Sequence, residues 1–575
     1  MNDDSSGADL IAGVYESARR WPERPAITAP GRRTPGRKFP VPGRTFPVPG
    51  RTISYAALVE GIESTAFALR AEGFGPGERM LFSVRPGPDA FVLALGAVRA
   101  GGSIVFIDPG IGPALFKDRA DLAAPRWAAA ESLLYALSAK GPLRPLARRR
   151  GLLLPDYGAM DVRHLYSGPW LPGVPRGARP VKELAGAGHT AGLLSVPEAV
   201  PGQEAVIIFT SGTTGHPKGV VHTRGSLAAG FGQLTQRCTF DAGDRIHSEQ
   251  LMMGLPALIA GAHWTMPAYG FSAHIDPLRL AAELGPVPGE YDGVTHLFLV
   301  PSQLAPILDA VEAGTVVLPR TLRTVMLGAA PVLAPFLERA MRVLPGVDFK
   351  LIYGMTELLP IAISDGAEKL AFASGAEAEL TAPDGSGAGD FLGAPLPGVR
   401  IRVAADHELL ASGPNMCRGY LGQPDMSEHA TGDLVRLDHG GPDGKPRLVM
   451  IGRKKDMIIR GKTNIYPALY EPLIMKVPGV AQAAMVGVPD ANGDEAVWLA
   501  VVPSAGEEPA KVRARLAREL PRLIDESALP DRIEVLQELP VGGRHRKTDR
   551  AKLRADFAAV ADAPKAASKQ AGVRA

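Results

Sequence analysis

Along the chain, short unbroken apolar runs alternate with stretches whose apolar positions recur every three to four residues. Val206 to Phe209 is such a run and ends in a glycine-rich segment, which predicts a buried strand leading into a loop. Leu322 to Leu327 predicts another strand. Val332 to Leu344 predicts a helix, because Leu333, Phe336, Leu337, Ala340, Met341 and Leu344 fall on one face. Phe349 to Tyr353 predicts the strand after it. Alternation of this kind points to an α/β fold with a largely parallel sheet. Further on, Val399, Ile401 and Val403 alternate with Arg400 and Arg402, the period-two pattern of a half-buried strand. The most apolar stretch, Ala90 to Ile107, is broken by Arg99 and by Gly101-Gly102. Spanning a membrane takes about 20 apolar residues, so this stretch predicts a buried helix followed by a strand.

The last hundred residues pattern as a separate small unit. Ala484 to Val488 and Ala496 to Val502 are strand-like, and Pro509 opens a helix with Val512, Leu516 and Leu520 at four-residue spacing. A domain boundary is expected near Arg453 to Asp456, giving a body of residues 1–454 and a small domain of 455–555. Residues 556–575, rich in Ala and Lys, are expected to fray.

Composition narrows the class. A chain of 575 residues favours two or more domains. Gly 66 and Pro 53 together exceed the average share of roughly 12%. The 46% of hydrophobic residues still permits a large core, which excludes a collagen-like or wholly disordered chain. Lys+Arg 63 nearly balances Asp+Glu 60, so no global field favours nucleic acid or an anionic membrane. No aromatic residues interleave with the basic residues near the end, as single-strand binding would require. Cys238 and Cys417 lie far apart, which excludes a disulfide framework or a Cys-based zinc site and fits a reducing compartment. The acidic, polar start lacks the order of a secretion signal, so a cytoplasmic location is expected. Two copies of a Gly-Arg-x-Phe-Pro-Val-Pro heptad between Gly36 and Gly50 are too few for a solenoid and predict a lengthened surface loop.

The most informative stretch runs from Thr210 through Ser211, Gly212, Thr213, Thr214 and Gly215 to Lys218. Glycines let backbone N–H groups turn toward an anion, hydroxyls add donors, and the lysine adds charge. That set suits the β- and γ-phosphates of a nucleotide. It lacks the Gly-Lys-[Ser/Thr] ending of a Walker A loop.

This loop resembles the phosphate loop of the adenylate-forming superfamily, which includes acyl-CoA synthetases, peptide-synthetase adenylation domains and beetle luciferases. Further motifs of that superfamily follow in order. They are Gly328-Ala-Ala-Pro331, Tyr353-Gly-Met-Thr-Glu357, Gly393 to Gly398, Gly413 to Tyr420, Thr431-Gly-Asp433, Gly452-Arg453 to Asp456, and Gly487 to Asp490. The resemblance runs from about residue 10 to 555. It implies a large N-terminal multi-sheet α/β body with a small, mobile α/β C-terminal domain. It also implies activation of a carboxylic acid by ATP to acyl-AMP, with pyrophosphate released, and then transfer to CoA or another thiol. Residues Thr210 to Lys218 would hold the outgoing phosphates. Tyr353 and Gly354 would lie against adenine, with Gly328, Ala329, Ala330 and Pro331 along its edge. Thr356 would touch the α-phosphate and Glu357 would hold Mg2+. Asp433 would accept the ribose hydroxyls and Arg453 would support the ribose or phosphate side. Lys547 would bridge the substrate carboxylate and the α-phosphate. Arg546, which stands where the family has glycine, and Lys552 are alternative cations. Lys455 would be the hinge about which the small domain turns.

Two departures bear on the second half-reaction. The segment between Asp244 and Gly261 is short and lacks the usual aromatic–His pair, and Arg460-Gly461-Lys462 replaces the usual Gly-Gly at the pantetheine tunnel. The compact segment near 250, Leu358 to Ile361, and Arg544-His545 resemble β-lactone synthetases of olefin biosynthesis. Those enzymes adenylate a 3-hydroxy acid and let its hydroxyl expel AMP. An acid–thiol ligase for a fatty or other apolar acid is the first expectation, with Met252, Met253, Leu255 and Leu258 suited to such an acid. The β-lactone synthetase is the alternative. A nucleotide-binding protein without catalysis is the alternative of another class, and the intact Glu357, Asp433 and Arg453 weigh against it.

Overall fold

The computed structural model describes residues 9–29, 50–107, 113–138, 143–149, 154–185, 196–210, 217–267, 276–286, 292–379, 389–439, 444–460, 463–489, 495–524, 528–542 and 547–571. The heptad repeat of Gly36 to Gly50 lies outside these residues except for Gly50.

Two eight-stranded sheets form the body. In one, strands Pro25–Ala29, His263–Thr265, Arg245–His247, His296–Leu299, Thr324–Gly328 and Asp348–Met355 run parallel. Antiparallel edge strands Arg51–Ser54 and Leu358–Asp365 close its two sides. In the other, Glu204–Thr210, Ser103–Phe106, Arg79–Ser83, Trp127–Glu131, Arg163–Ser167 and Arg179–Pro180 run parallel. There Lys218–Thr223 and the two-residue strand Gly419–Tyr420 form the antiparallel edge. Parallel strands need helical crossovers that cover both faces. Helices Tyr55–Ala71, Pro88–Ala100 and Arg224–Cys238 supply much of that cover, burying Ile62, Phe91, Leu95 and Phe231 in one core with Trp264. The stretch read as a buried helix and strand is the helix Pro88–Ala100 and the strand Ser103–Phe106. A third, five-stranded antiparallel sheet includes Arg400–Val403, His429–Asp438 and Arg447–Arg453.

After Arg453 the chain makes a single 3-10 turn, Lys454–Asp456, and enters the small unit. Its three-stranded sheet, Val480–Pro489, Glu495–Pro503 and Arg532–Val535, packs on the helix Pro509–Glu519 through Val512, Leu516 and Leu520. The frayed tail expected from 556 is corrected here. The helix Arg550–Ala571 runs through that point, and Phe557 is buried with its ring 5.1 Å from that of Trp498. An apolar side chain every third to fourth residue, Leu553 then Phe557, holds this first half of the helix on the sheet. Among the described residues no helix is long and apolar enough to cross a membrane.

Candidate active site

Each large sheet turns back on itself at an edge, and both turns carry residues of interest. Strands Glu204–Thr210 and Lys218–Thr223 pair with Thr210 opposite Lys218, so the intervening loop leaves and returns at one point. Ser211, Gly212, Thr213, Thr214 and Gly215 lie outside the described residues, as does the side chain of Thr210. Strands Asp348–Met355 and Leu358–Asp365 pair with Met355 opposite Leu358, which leaves Thr356 and Glu357 as a two-residue turn. Gly354 is required just before it. A Cβ there would stand 2.7 Å from Leu359 Cδ1 and 3.0 Å from the Leu358 carbonyl oxygen.

The two turns are tied together. His222 is buried and its Nε2 lies 2.6 Å from the Thr356 carbonyl oxygen. Burial lowers its pKa, and because a carbonyl only accepts, Nε2 carries the proton of the neutral ring. The Cys417 N–H donates to the Glu357 carbonyl at 2.8 Å. Sequence reasoning gave His222 no role, although a period-two strand puts it on the same face as Lys218.

The third sheet contributes a second cluster. Asp433 faces Arg453 across neighbouring strands, and Arg453 Nε stands 3.0 Å from Asp433 Oδ1. Tyr353 donates its hydroxyl to the other oxygen, Oδ2, at 2.9 Å. Burial and the Asp433 carboxylate raise the Tyr353 pKa well above the ordinary value, so the phenol stays a donor. The Asp433 N–H donates to Thr431 Oγ1 at 3.1 Å. Gly432, at φ +71°, takes a left-handed conformation that lets its N–H reach Glu408 Oε1 at 3.0 Å. The other oxygen of Glu408 accepts from Lys454 Nζ at 2.8 Å, and Asp406 accepts from it at 2.7 Å.

A cleft of about 3580 Å³ separates the body from the small unit and collects most of the remaining residues of interest. Ala329, Ala330, Pro331, Tyr353, Gly354, Thr356 and Arg453 line it from the body, with Lys455 and Lys547 from beyond the boundary. Ala329 holds φ +60°, a strained conformation for a residue with a Cβ, and is exposed at the cleft. Lys547 is an exposed residue. The protein around its ammonium, together with Arg453 and Lys455, lowers its pKa against the opposing pull of Asp433. Its strand Lys547–Thr548 pairs with Val541–Gly542. Arg550 anchors the following helix by two 2.7 Å bonds to Glu471. Lys552 pairs instead with Asp556 at 3.1 Å on an exposed face, and Arg546 lies outside the described residues. Gly328, Lys218, Glu357 and Asp433 sit beside the cleft without lining it.

An apolar limb of the same cleft runs into the body between Phe82, Phe91, Leu95, Phe231, Met252 and Leu255. Met253 and Leu258, expected to face an acid, are instead buried in the core. A 9-residue helix, Leu251–Ile259, turns its two sides to different neighbours, so only alternate members of the apolar stretch reach the cleft. Arg85 and Glu131 mark a charged spot in the wall, paired at 2.9 Å.

Among the described residues no group of three His, Cys, Asp or Glu could hold a metal ion. One carboxylate, Glu357, beside the Thr356 hydroxyl is a donor set that fits Mg2+. That ion dehydrates reluctantly and is commonly held by one or two carboxylates, water and substrate phosphates.

A two-sheet α/β body with a third sheet at its edge and a small C-terminal unit across a cleft is the architecture of adenylate-forming enzymes. The amide bond synthetase McbA from Marinactinospora thermotolerans superposes with a TM-score of 0.69 at 22% identity, covering 95% of this chain and 100% of that one. The chain belongs to the AMP-binding enzyme family: residues 14–421 match that family and residues 470–545 match the AMP-binding enzyme C-terminal domain. Enzymes of this family form acyl adenylates from ATP. Sulfoacetate–CoA ligase of Cupriavidus necator is 26% identical over 93% of this chain and 95% of its own length. Olefin beta-lactone synthetase of Stenotrophomonas maltophilia is 27% identical over 84% of this chain and 85% of its own length. The nonribosomal peptide synthetase CymA of Salinispora arenicola is 29% identical over 77% of this chain, which spans 6% of that protein.

Proposed function

We propose that the chain activates a fatty or other apolar carboxylic acid with ATP and passes the acyl group to CoA or another thiol. The observation that carries this reading is the convergence of Tyr353, Thr356, Arg453 and Lys547 on one cleft that continues into an apolar limb. A carboxylate oxygen attacks the α-phosphorus. The new bond is acyl O–P, the bond to the β-phosphate oxygen breaks, and pyrophosphate leaves. Two anions must meet, so positive charge and fixed donors are the main requirement. Lys547 supplies charge between the carboxylate and the α-phosphate, with Thr356 donating to the latter. Lys218 and the loop from Thr210 to Gly215 hold the outgoing phosphates. Tyr353, with Gly328 to Pro331, contacts the adenine, while Asp433 accepts the ribose hydroxyls and Arg453 pairs with that carboxylate. Glu357 and Thr356 would hold Mg2+, which neutralises phosphate charge when bound. Residues 1–454 act as the body and 455–555 as a mobile domain turning at Lys455, whose exposed side chain stays solvated in either orientation.

A second reading, closure of a β-lactone from a 3-hydroxy acid, is favoured by the match to the olefin beta-lactone synthetase along most of both chains. The two readings part at the acceptor. Purified protein is supplied with ATP and either decanoic or 3-hydroxydecanoic acid, with and without CoA, and AMP and acyl products are followed by mass spectrometry. AMP release that requires CoA and yields a thioester supports the ligase. AMP release from the hydroxy acid alone, with a lactone product, overturns it in favour of the second reading.

A further inference from the structure

Lys218 and Glu357 come from different sheets and carry opposite charges, yet both lie against one side chain. Tyr420 donates its phenolic hydrogen to Glu357 Oε1 at 2.9 Å. The Lys218 ammonium stands 5.0 Å from the centroid of the same ring, within cation–π range. The backbone holds that ring in place from both sides. Tyr420 pairs with Val220 across an antiparallel bridge, the Leu421 N–H donates to the Gly219 carbonyl at 2.7 Å, and the Arg418 N–H donates to the Val221 carbonyl at 2.8 Å. On the other side, the Cys417 N–H reaches the Glu357 carbonyl at 2.8 Å. Five consecutive residues, 417–421, therefore staple the strand that begins at Lys218 to the turn that holds Glu357.

We propose that Tyr420 is a positioning residue for the phosphate and metal side of the site: its hydroxyl aims the Glu357 carboxylate, and its ring seats the Lys218 ammonium apart from that carboxylate. This rests on the adenylation reading and extends it to a residue to which that reading gives no part. A lysine and a glutamate free to meet would neutralise each other and offer less to a magnesium–triphosphate. With Oε1 tethered by one hydrogen bond, the carboxylate keeps its remaining lone pairs in a fixed direction for a hard cation. Packing alone would be served equally by phenylalanine, which makes the hydroxyl the informative atom.

The test uses the full chain and two variants, Tyr420→Phe and Tyr420→Leu, with nucleotide binding measured by calorimetry. ATP is titrated in EDTA and again with Mg2+, and the metal is followed directly by Mn2+ electron paramagnetic resonance. Tyr420→Phe keeps the ring, so metal-free ATP should bind as in the wild type. Its affinity for Mg2+–ATP and Mn2+–ATP should fall roughly tenfold, the size of one lost hydrogen bond to a charged group. Tyr420→Leu also removes the seat of Lys218, so metal-free ATP should weaken as well. A Phe variant that binds the metal complex like the wild type overturns the inference. So does a Phe variant that loses metal-free and metal-bound ATP equally, because that marks a purely structural role. Wild-type protein that binds no ATP in either form overturns the adenylation reading itself, and this inference with it.

Discussion

On the adenylation reading Lys547 must be cationic between two anions, and its surroundings work against that charge before substrates arrive. Burial first, then Arg453 and Lys455, lower its pKa, with Asp433 opposing. A lowered pKa means that the proton is lost at a lower pH than for an ordinary lysine. The alkaline limb of kcat/KM, which reports the free enzyme, should therefore begin below the usual lysine range. Removing a like charge relieves the effect, so Lys455→Gln should move that limb to higher pH; a limb that stays put would assign it to another group. Lys547 is singled out by the sequence because a basic residue near the end of the chain follows seven ordered motifs. Tyr420 lay inside a quoted motif, yet its role was not legible, because its partner Glu357 is 63 residues away and on a different sheet edge. Met253 and Leu258 show the reverse error. Apolar character marks burial, and which side of a short helix faces a cleft depends on neighbours that the local pattern does not contain.

At the scale of elements, the residues proposed for the phosphate and metal side sit where a parallel sheet ends in an antiparallel return. The turn of Thr356 and Glu357 and the return at Lys218 are both of this kind. Apolar runs predicted the outgoing strands Glu204–Thr210 and Asp348–Met355 to within a few residues, but not the return strands Lys218–Thr223 and Leu358–Asp365. The five-stranded sheet was less legible. Of its five strands only Arg400–Val403 was anticipated, and Asp433 and Arg453 pair across two others, His429–Asp438 and Arg447–Arg453. The 3-10 turn Lys454–Asp456 is fastened to this sheet by Lys454, whose ammonium bonds both Asp406 and Glu408. Lys454→Ala should release the turn and speed limited proteolysis around residues 453–460, with the cut sites read by mass spectrometry. An unchanged cleavage rate would show that the Asp433–Arg453 pair and the strands hold the turn without Lys454.

Across the whole molecule, the described residues include five buried histidines with lowered pKa, His222, His247, His263, His296 and His429. Burial takes the pKa of His247 and of His296 down to about 4, and burial together with Arg245 takes that of His263 to about 3. These lie below the unfolded value of roughly 6.5. Above that pH, folded and unfolded chains both hold neutral rings, and the full stability is present. As pH falls through about 6.5 toward 4, the unfolded chain takes up protons that the folded chain refuses. Stability should then drop by about 1.4 kcal/mol per pH unit for each histidine. Urea midpoints measured between pH 8 and 4 should be flat and then fall, with a shallower fall in His247→Gln; equal slopes would place the acid sensitivity elsewhere. The central claim, that the cleft makes acyl adenylates with Lys547 at the reacting groups, is tested most directly by acid-dependent exchange of labelled pyrophosphate into ATP. Screened over fatty and 3-hydroxy acids, the wild type should exchange with at least one apolar acid, and Lys547→Ala should exchange roughly a hundredfold or more slowly while still binding ATP. No exchange with any acid, or an undiminished rate in Lys547→Ala, would contradict it.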